Sequence, residues 1–456
     1  MKISLKWLAE HMQEGWQAPS YPELVNTLIQ HVAEVDDAYT VTVDSTAYYA
    51  GMVQEHTDTS VTIYIPEIDD TYTMAARDIP FYDAWYLVYA GSDGVRWAML
   101  SDFGESKDAL FPAVMLEEHA AHTGEWRQQI EERDYIIDID NAAITHRSDL
   151  WGHRGVAREL AVLTRHELKE EQHILTELPV NSAEQVPSST YYPAIESSAC
   201  DRFVGYYIPR IDVCASSLTM AIRLARVGVK PHNILVDITN YVMYDIGQPM
   251  HVFDTNVLSS RCITMRQAYD DERLTALDGS TIDLTHEDTV VANNGTALSI
   301  AGIIGGEHSG VSRETRSIFL EAAHFDPTAI RKTAARIGRR TESSMRFEKD
   351  LDPYHTDVAI KRYLALLQQY NVITTQERAA YAAGSLPDLN TVMISHTFLE
   401  QRIGISVPHE RVVEICSKLG CQVVREDDTY TVTIPSYRRN DIVRAEDIVE
   451  EVARVI

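Results

Sequence analysis

The sequence has no apolar run approaching the ~20 residues that a membrane-spanning helix needs. Its start, Met1-Lys-Ile-Ser-Leu-Lys-Trp-Leu8, has no apolar stretch long enough for a secretory signal. It has no CxxC pair. Its five cysteines (Cys200, Cys214, Cys262, Cys416 and Cys421) are odd in number and widely spaced, which argues for reduced thiols rather than a disulfide framework or a zinc cluster. Internal repeats and low-complexity tracts are absent. Basic residues are scarce: 40 Lys and Arg face 68 Asp and Glu, a formal net charge of −28. So acidic a surface repels polyanions in bulk, so any nucleic-acid partner has to meet a local basic patch. The expectation is a cytoplasmic protein with no membrane and no DNA partner.

What remains is ordinary globular material, 456 residues with 45% hydrophobic and 24% charged side chains. That is chain enough for two to four domains of about 100–200 residues. The pattern predicts an α+β, multidomain architecture. Residues 1–39 read as helical, with Leu5, Leu8 and Met12, then Leu24, Leu28, His31 and Val32, at helical spacing. Together with 140–185 they form an N-terminal α+β domain, whose helix around Gly152–Arg165 puts Val156, Leu160 and Leu163 on one face. Residues 40–139 change to short alternating and aromatic runs such as Val61-Thr-Ile-Tyr-Ile65, broken at Gly91–Gly94; they read as an inserted small β domain, a barrel or sandwich. Residues 180–200 read as a linker. Residues 200–385 form a large α+β domain. In it Ser216 is placed to cap a helix ending at Gly228, Asp326-Pro327 opens a helix closed by Gly338, and Asp352-Pro353 opens another. Asp278-Gly279 and Asn294-Gly295 mark hairpins. Residues 390–456 form a small module with a helix His409–Leu419, two strands joined through Asp427-Asp428, and a last helix over about 443–455.

Four constellations could carry chemistry, each with a plain structural alternative. Val236–Val242 reads as a buried strand ending in Thr239 and Asn240, followed by His251 after a Gly-Gln-Pro turn; the alternative is a capped strand end and a satisfied core histidine. Gly302, Gly305 and Gly306 permit close backbone approach to a ligand, and Glu321 interrupts an apolar run. A buried carboxylate costs several kcal/mol unless paired, so Glu321 has either a structural arginine or a task. Lys332, Arg336, Arg339 and Arg340 fall on one helix face at i, i+4, i+7 and i+8, either a solvated face or a phosphate-backbone contact. Asp441, Asp447, Glu450 and Glu451 form either surface ion pairs with Arg444 and Arg454 or a hard-cation site.

The ordered strings Met1–Leu8, Thr145-His-Arg-Ser-Asp-Leu-Trp-Gly-His-Arg-Gly-Val-Ala-Arg-Glu-Leu160, Asp237-Ile-Thr-Asn-Tyr-Val-Met243, Gln248-Pro-Met-His-Val-Phe-Asp254, Gly305-Gly306, Glu321-Ala-Ala-His-Phe-Asp-Pro327, Arg340-Thr-Glu-Ser-Ser-Met-Arg-Phe-Glu348 and Pro435-Ser-Tyr-Arg-Arg-Asn-Asp-Ile442 resemble the N-terminal portion of the bacterial phenylalanyl-tRNA synthetase β subunit. The resemblance implies assembly with an α subunit into an α2β2 heterotetramer that charges tRNA-Phe with phenylalanine using ATP at the α subunit. It implies that the β chain carries an editing domain of B3/B4 type over 200–385, which hydrolyses Tyr-tRNA-Phe. Glu321 would then take the tyrosine hydroxyl, Gly305 and Gly306 line the aromatic slot, and Thr341 and Ser343 narrow it. Thr239, Asn240 and His251 would hold the ester and the water, and the cations at 332–340 steer the tRNA acceptor end. The carboxylates at 441–451 would present Mg²⁺ shared with α, and 390–456 would be a winged-helix-like module of B5 type. Two departures stand out. The insertion at 40–139 takes the place of an OB-fold, yet between 40 and 110 it has three basic residues (Arg77, Arg96, Lys107) against twelve acids. The family pattern also continues past Ile456, so the chain reads as a fragment or a truncated gene product. A stand-alone misacylated-tRNA deacylase and a non-enzymatic assembly module with a relic pocket are the competing expectations.

Overall fold

A computed structural model describes residues 1–91, 94–104, 109–373 and 379–456; Ser92-Asp93 of the Gly91–Gly94 turn, and Lys107, lie outside the described residues. The N-terminal domain is a three-stranded antiparallel sheet, Arg133–Ile139 between Lys2–Ser4 and Val35–Thr42. Helices Leu5–Ala9, Tyr21–His31 and His153–Leu163 belong to the same domain. The helical reading of 1–39 is therefore corrected at both ends. Three residues of strand followed by five of helix are too short for either period to show in the sequence. Trp7 leaves this domain for the core of the next one, stacked between His153 (4.2 Å) and Tyr241 (4.0 Å), with its indole N–H donating to Asp245 at 2.7 Å.

The insertion forms one sheet of Ala113–Met115, Trp85–Gly91, Tyr48–His56, Ser60–Ile65 and Asp70–Ala75, with Gly94–Trp97 also on Trp85–Gly91. Its far edge is completed from outside: Ser216–Ser217 pairs in parallel with Val114–Met115. Ser217, not Ser216, caps helix Leu218–Arg226, because Ser216 donates its hydroxyl to buried Asp237.

The large domain is three-layered. One five-stranded sheet runs Val180–Ser182, Ala380–Gly384, Cys200–Ile208, Ile318–Phe325, Met250–Asp254; the other runs Tyr192–Ile195, Cys262–Gln267, Thr289–Asn293, Thr296–Ile300, Ile304–Gly305. The expected linker 180–200 thus supplies an edge strand to each sheet, both pairing in parallel. Helices Ile234–Ile246 and His355–Gln369 cover one face of the first sheet, where Val204, Leu320, Ala322 and Val252 meet Ile238, Val242, Ile360 and Leu364. Phe203, Phe253, Phe319 and Phe325 pack on the other face against Ile263, Met265 and Val290 of the second sheet. The run 236–242 is helix, not strand. Asn233 accepts from the amides of Leu235 and Val236 at its start, and Gly247 closes it at φ +84°. A helix buried nearly all round has no polar stripe to reveal its period.

The C-terminal module packs helices His396–Ile403, His409–Lys418 and Ala445–Ala453 with an antiparallel sheet, Thr429–Thr433 between Thr391–Ser395 and Gln422–Glu426. All five cysteines are free. Among the described residues no helix is long and apolar enough to cross a membrane.

Candidate functional site

Strand alternation decides where the site forms. On Ile318–Phe325, residues 318, 320 and 322 face the helices, so Glu321 faces the second sheet with Phe319 and Ala323. On Met250–Asp254 the same alternation turns His251 and Phe253 that way. The two strands are antiparallel neighbours in which His251 stands directly opposite Glu321, so the two side chains are adjacent on one face. Between them and the second sheet is a hollow of about 110 Å³, walled by Met250, Ile303, Gly305, Ser299, Ser343 and Phe347.

The polar groups in it are unspent. Glu321 is 6% exposed, and its Oε2 has no hydrogen-bond partner; nor does Nε2 of His251. The structural arginine that would have explained Glu321 is absent among the described residues. Burial alone pushes the Glu321 carboxyl up to about 8 and the His251 imidazole down to about 4. Near neutrality this is a largely protonated carboxylic acid beside a neutral imidazole. Phe253 meets the His251 ring edge-on, with centroids 4.5 Å apart. A Cβ on Gly305 would lie 2.6 Å from Cε1 of His251, so glycine there leaves the ring its place.

The other residues singled out from the sequence divide. Ser343 lines the hollow. Thr341 stands behind it: its hydroxyl donates to the Ile303 carbonyl at 2.9 Å and caps helix Glu342–Phe347. Gly306 does not line it; a Cβ there would lie 2.4 Å from the Leu298 carbonyl, so this glycine serves close strand packing. Thr239 and Asn240 are also outside. They lie in mid-helix, with the Thr239 hydroxyl on the Val236 carbonyl at 2.7 Å.

The four cations do not share one helix face. Helix Pro327–Arg336 stops at Arg336, and Gly338 turns the chain at φ +66°. Arg336 pairs with buried Asp288, Arg339 with Asp278, and Arg340 with Glu348 at 3.4 Å; Lys332 is exposed with no ion pair among the described residues. The four carboxylates border a hollow of about 360 Å³ but do not converge. Arg438 holds Asp441 at 2.7 Å and Glu451 at 2.7 Å, and Asp447 accepts from the amides of Val443 and Arg444. Among the described residues no three His, Cys, Asp or Glu side chains are grouped to hold a metal ion. The expected Mg²⁺ is one shared with a second subunit, for which these carboxylates would supply only part of the ligand set.

The comparisons with known proteins agree with this layout. A B3/4 domain model matches residues 199–372, which contain the whole hollow, and a tRNA synthetase B5 domain model matches residues 392–456. The chain is 36% identical over 349 residues to the phenylalanine–tRNA ligase β subunit of Carboxydothermus hydrogenoformans, covering 76% of this chain and 42% of that one. The corresponding subunit of Vibrio cholerae is 36% identical over 362 residues, covering 78% and 44%. The chain belongs to the phenylalanine–tRNA ligase β-subunit family. It spans about two fifths of the length of these relatives. A crystal structure of an N-terminal fragment of the phenylalanyl-tRNA synthetase β subunit from Pyrococcus horikoshii aligns at 16% identity with a TM-score of 0.39, covering 73% of this chain and 93% of that one.

In this chain the string Thr145–Leu160 is no part of the hollow. Arg147 donates to Asp149 (2.8 Å) and to Glu159; Arg454 of the C-terminal module donates to Glu159 at 2.5 Å; Arg438 and Arg454 both hold Glu451. This buried network joins the N-terminal domain to the C-terminal module. Burial is the largest influence on Glu451 and opposes its charge, but Arg438 and Arg454 outweigh it and hold the carboxyl down to about 2. Sequence reading also missed the apolar walls Met250, Ile303 and Phe347, which carry no signal beyond being apolar.

Proposed function

We propose that the hollow around Glu321 and His251 is a proofreading site that hydrolyses the ester of tyrosine on tRNA-Phe, within a phenylalanine–tRNA ligase whose α subunit performs the ATP-dependent charging in an α2β2 assembly. The observation that carries this reading is the unpartnered, buried Glu321 carboxyl beside the unpartnered His251. A charging pocket for phenylalanine rejects an isostere that merely adds a hydroxyl by only about 10²-fold. Tyrosine is that isostere, so a second sieve has to read the hydroxyl. A protonated Glu321 can donate to the phenol oxygen and accept the phenol proton on its other oxygen. Phenylalanine in the same place leaves the carboxyl unsatisfied, at a cost of about 1–3 kcal/mol.

His251, neutral at physiological pH, offers one ring nitrogen to hold a water against the ester carbonyl. Attack forms a bond from the water oxygen to the carbonyl carbon and breaks the bond to the ribose oxygen, which takes up the proton. The products are free tyrosine and deacylated tRNA. His251 orients the water, and a ribose hydroxyl next to the ester can relay the proton. Every wall of the hollow comes from residues 249–347, which favours hydrolysis by this chain without α. A module with a relic pocket would have no reason to keep both polar groups unpaired.

The test is deacylation of Tyr-tRNA-Phe and Phe-tRNA-Phe by the 456-residue chain and by Glu321→Ala. Fast loss of tyrosine alone, with the preference lost in the variant, supports the reading. Equal rates on both esters, or a preference that survives the substitution, overturns it.

A further inference from the structure

Beside the hollow a clasp joins two segments 61 residues apart in sequence. The hairpin Arg273–Thr275/Thr281–Asp283 rests its loop on the glycine segment of the pocket wall: the Leu277 amide donates to the Gly305 carbonyl at 3.0 Å, and Ala276 bridges to Gly306. On the far side, Arg339 begins the stretch that leads through Thr341 to Ser343 in the wall. Arg339 donates to the Asp278 carboxylate and, at 2.6 Å, to the Ser280 hydroxyl, so it ties the hairpin loop to that stretch. The clasp is open to solvent, with the Arg339 and Asp278 side chains 29% and 45% exposed.

Above it is an anomaly. Leu277 is 53% exposed, and its Cδ1 would lie 2.9 Å from a Cβ on Gly305, the same point that is 2.6 Å from the His251 ring. A leucine held in water over the histidine wall is an exposed apolar platform, with a guanidinium nearby that is spent on a surface carboxylate and a serine hydroxyl.

Resting on the hydrolytic reading above, we propose that Leu277, Asp278 and Arg339 form the docking rim for the RNA 3′ end. Leu277 carries a face of the terminal nucleoside, and Arg339 exchanges Asp278 for a backbone phosphate when the RNA arrives. Asp278 is then a competitor that keeps the empty rim closed, and Arg339 is its partner only in the empty state. A planar guanidinium fits phosphate and carboxylate equally well, which makes the exchange chemically even.

The idea makes the two halves of one ion pair act in opposite directions. The probe is an RNA minihelix ending in CCA and carrying no amino acid, bound to the 456-residue chain and followed by fluorescence anisotropy across about 50–200 mM salt. Arg339→Ala is expected to weaken binding about tenfold and to lower the salt slope by about one. Asp278→Asn is expected to tighten binding several-fold, and Leu277→Ser to weaken it several-fold at unchanged salt slope. All three positions are partly exposed, and thermal melting checks that each variant folds as the parent does. Weaker binding in both Asp278→Asn and Arg339→Ala, or no change in either, would mean that the clasp only holds the hairpin, and the inference falls. So does it if the parent chain does not bind the minihelix. Binding with opposite signs but without tyrosine release from Tyr-tRNA-Phe would overturn the hydrolytic reading and leave the rim standing as an RNA-binding feature.

Discussion

Glu321 and Glu159 are both glutamates taken out of water, at 6% and 1% exposure, and they differ in their company. Glu159 lies between Arg147 and Arg454 and is held charged, below the usual carboxylate range, although burial is the largest single influence on it and works the other way. Glu321 has no cation, and burial pushes it up to about 8. The cost of burial is met at one site by arginines and at the other by taking up a proton. The first solution makes a joint between domains. The second leaves a hydrogen-bonding group facing an open hollow, free to meet a ligand or a water.

The largest expected effect tests the joint. Arg438→Met takes the nearest cation from Asp441 and one of two from buried Glu451, and should cost about 3 kcal/mol. Thermal or denaturant unfolding reads this as a large drop in midpoint, and a drop smaller than that of an average surface substitution would mean the network is slack. Next comes selectivity: Glu321→Leu keeps the bulk but removes both the donor and the acceptor that would read the phenol hydroxyl. Its Tyr-over-Phe ratio in ester hydrolysis should fall by roughly 10-fold or more, while the unfolding midpoint holds or rises. Third, Gly305→Ala pushes a methyl onto the His251 ring and should lower kcat about tenfold at similar KM, since the ring holds the water; an unchanged kcat would separate His251 from the chemistry.

The smallest effect is a pH slope, and its sign is opposite in the two regions. Glu321 is raised in the folded state, so the native protein binds more protons than the unfolded one between about pH 4.5 and 8. Its contribution therefore favours folding at the acid end and is lost as pH rises through 8. Glu451 is lowered to about 2, so its contribution is full above the unfolded carboxylate range and lost as pH falls toward 2. The stability difference between the parent chain and Glu321→Gln should grow with pH between 5 and 8; a flat difference would mean that Glu321 has found a partner.

Legibility in the sequence followed the range of the interaction. Helices with local punctuation, such as Asp326-Pro327 and His409 to Gly420, were readable because their caps lie within a turn of the residues they serve. Glu321 stands out in the sequence because a charge inside an apolar run has to be accounted for, whereas His251 stands out only by following the Gly247-Gln-Pro turn. The 236–242 run misled because uninterrupted apolar residues show neither a period of 2 nor one of 3.6. The cationic stripe misled because it was projected past Arg336, where the helix had ended. Leu277, the Arg339 clasp and the Arg147–Arg454 network could not be seen at all, since their partners come from distant segments and nothing local marks them.

The strand Ser216–Ser217 has a mechanical consequence. It completes the sheet of the insertion and is followed at once by helix Leu218–Arg226, whose Leu218, Ala221, Ile222 and Ala225 pack in the core of the insertion. The insertion is therefore not an arm on a swivel. It is anchored at two levels, by the sheet edge at Ser216–Ser217 and by the helix face that shares its core.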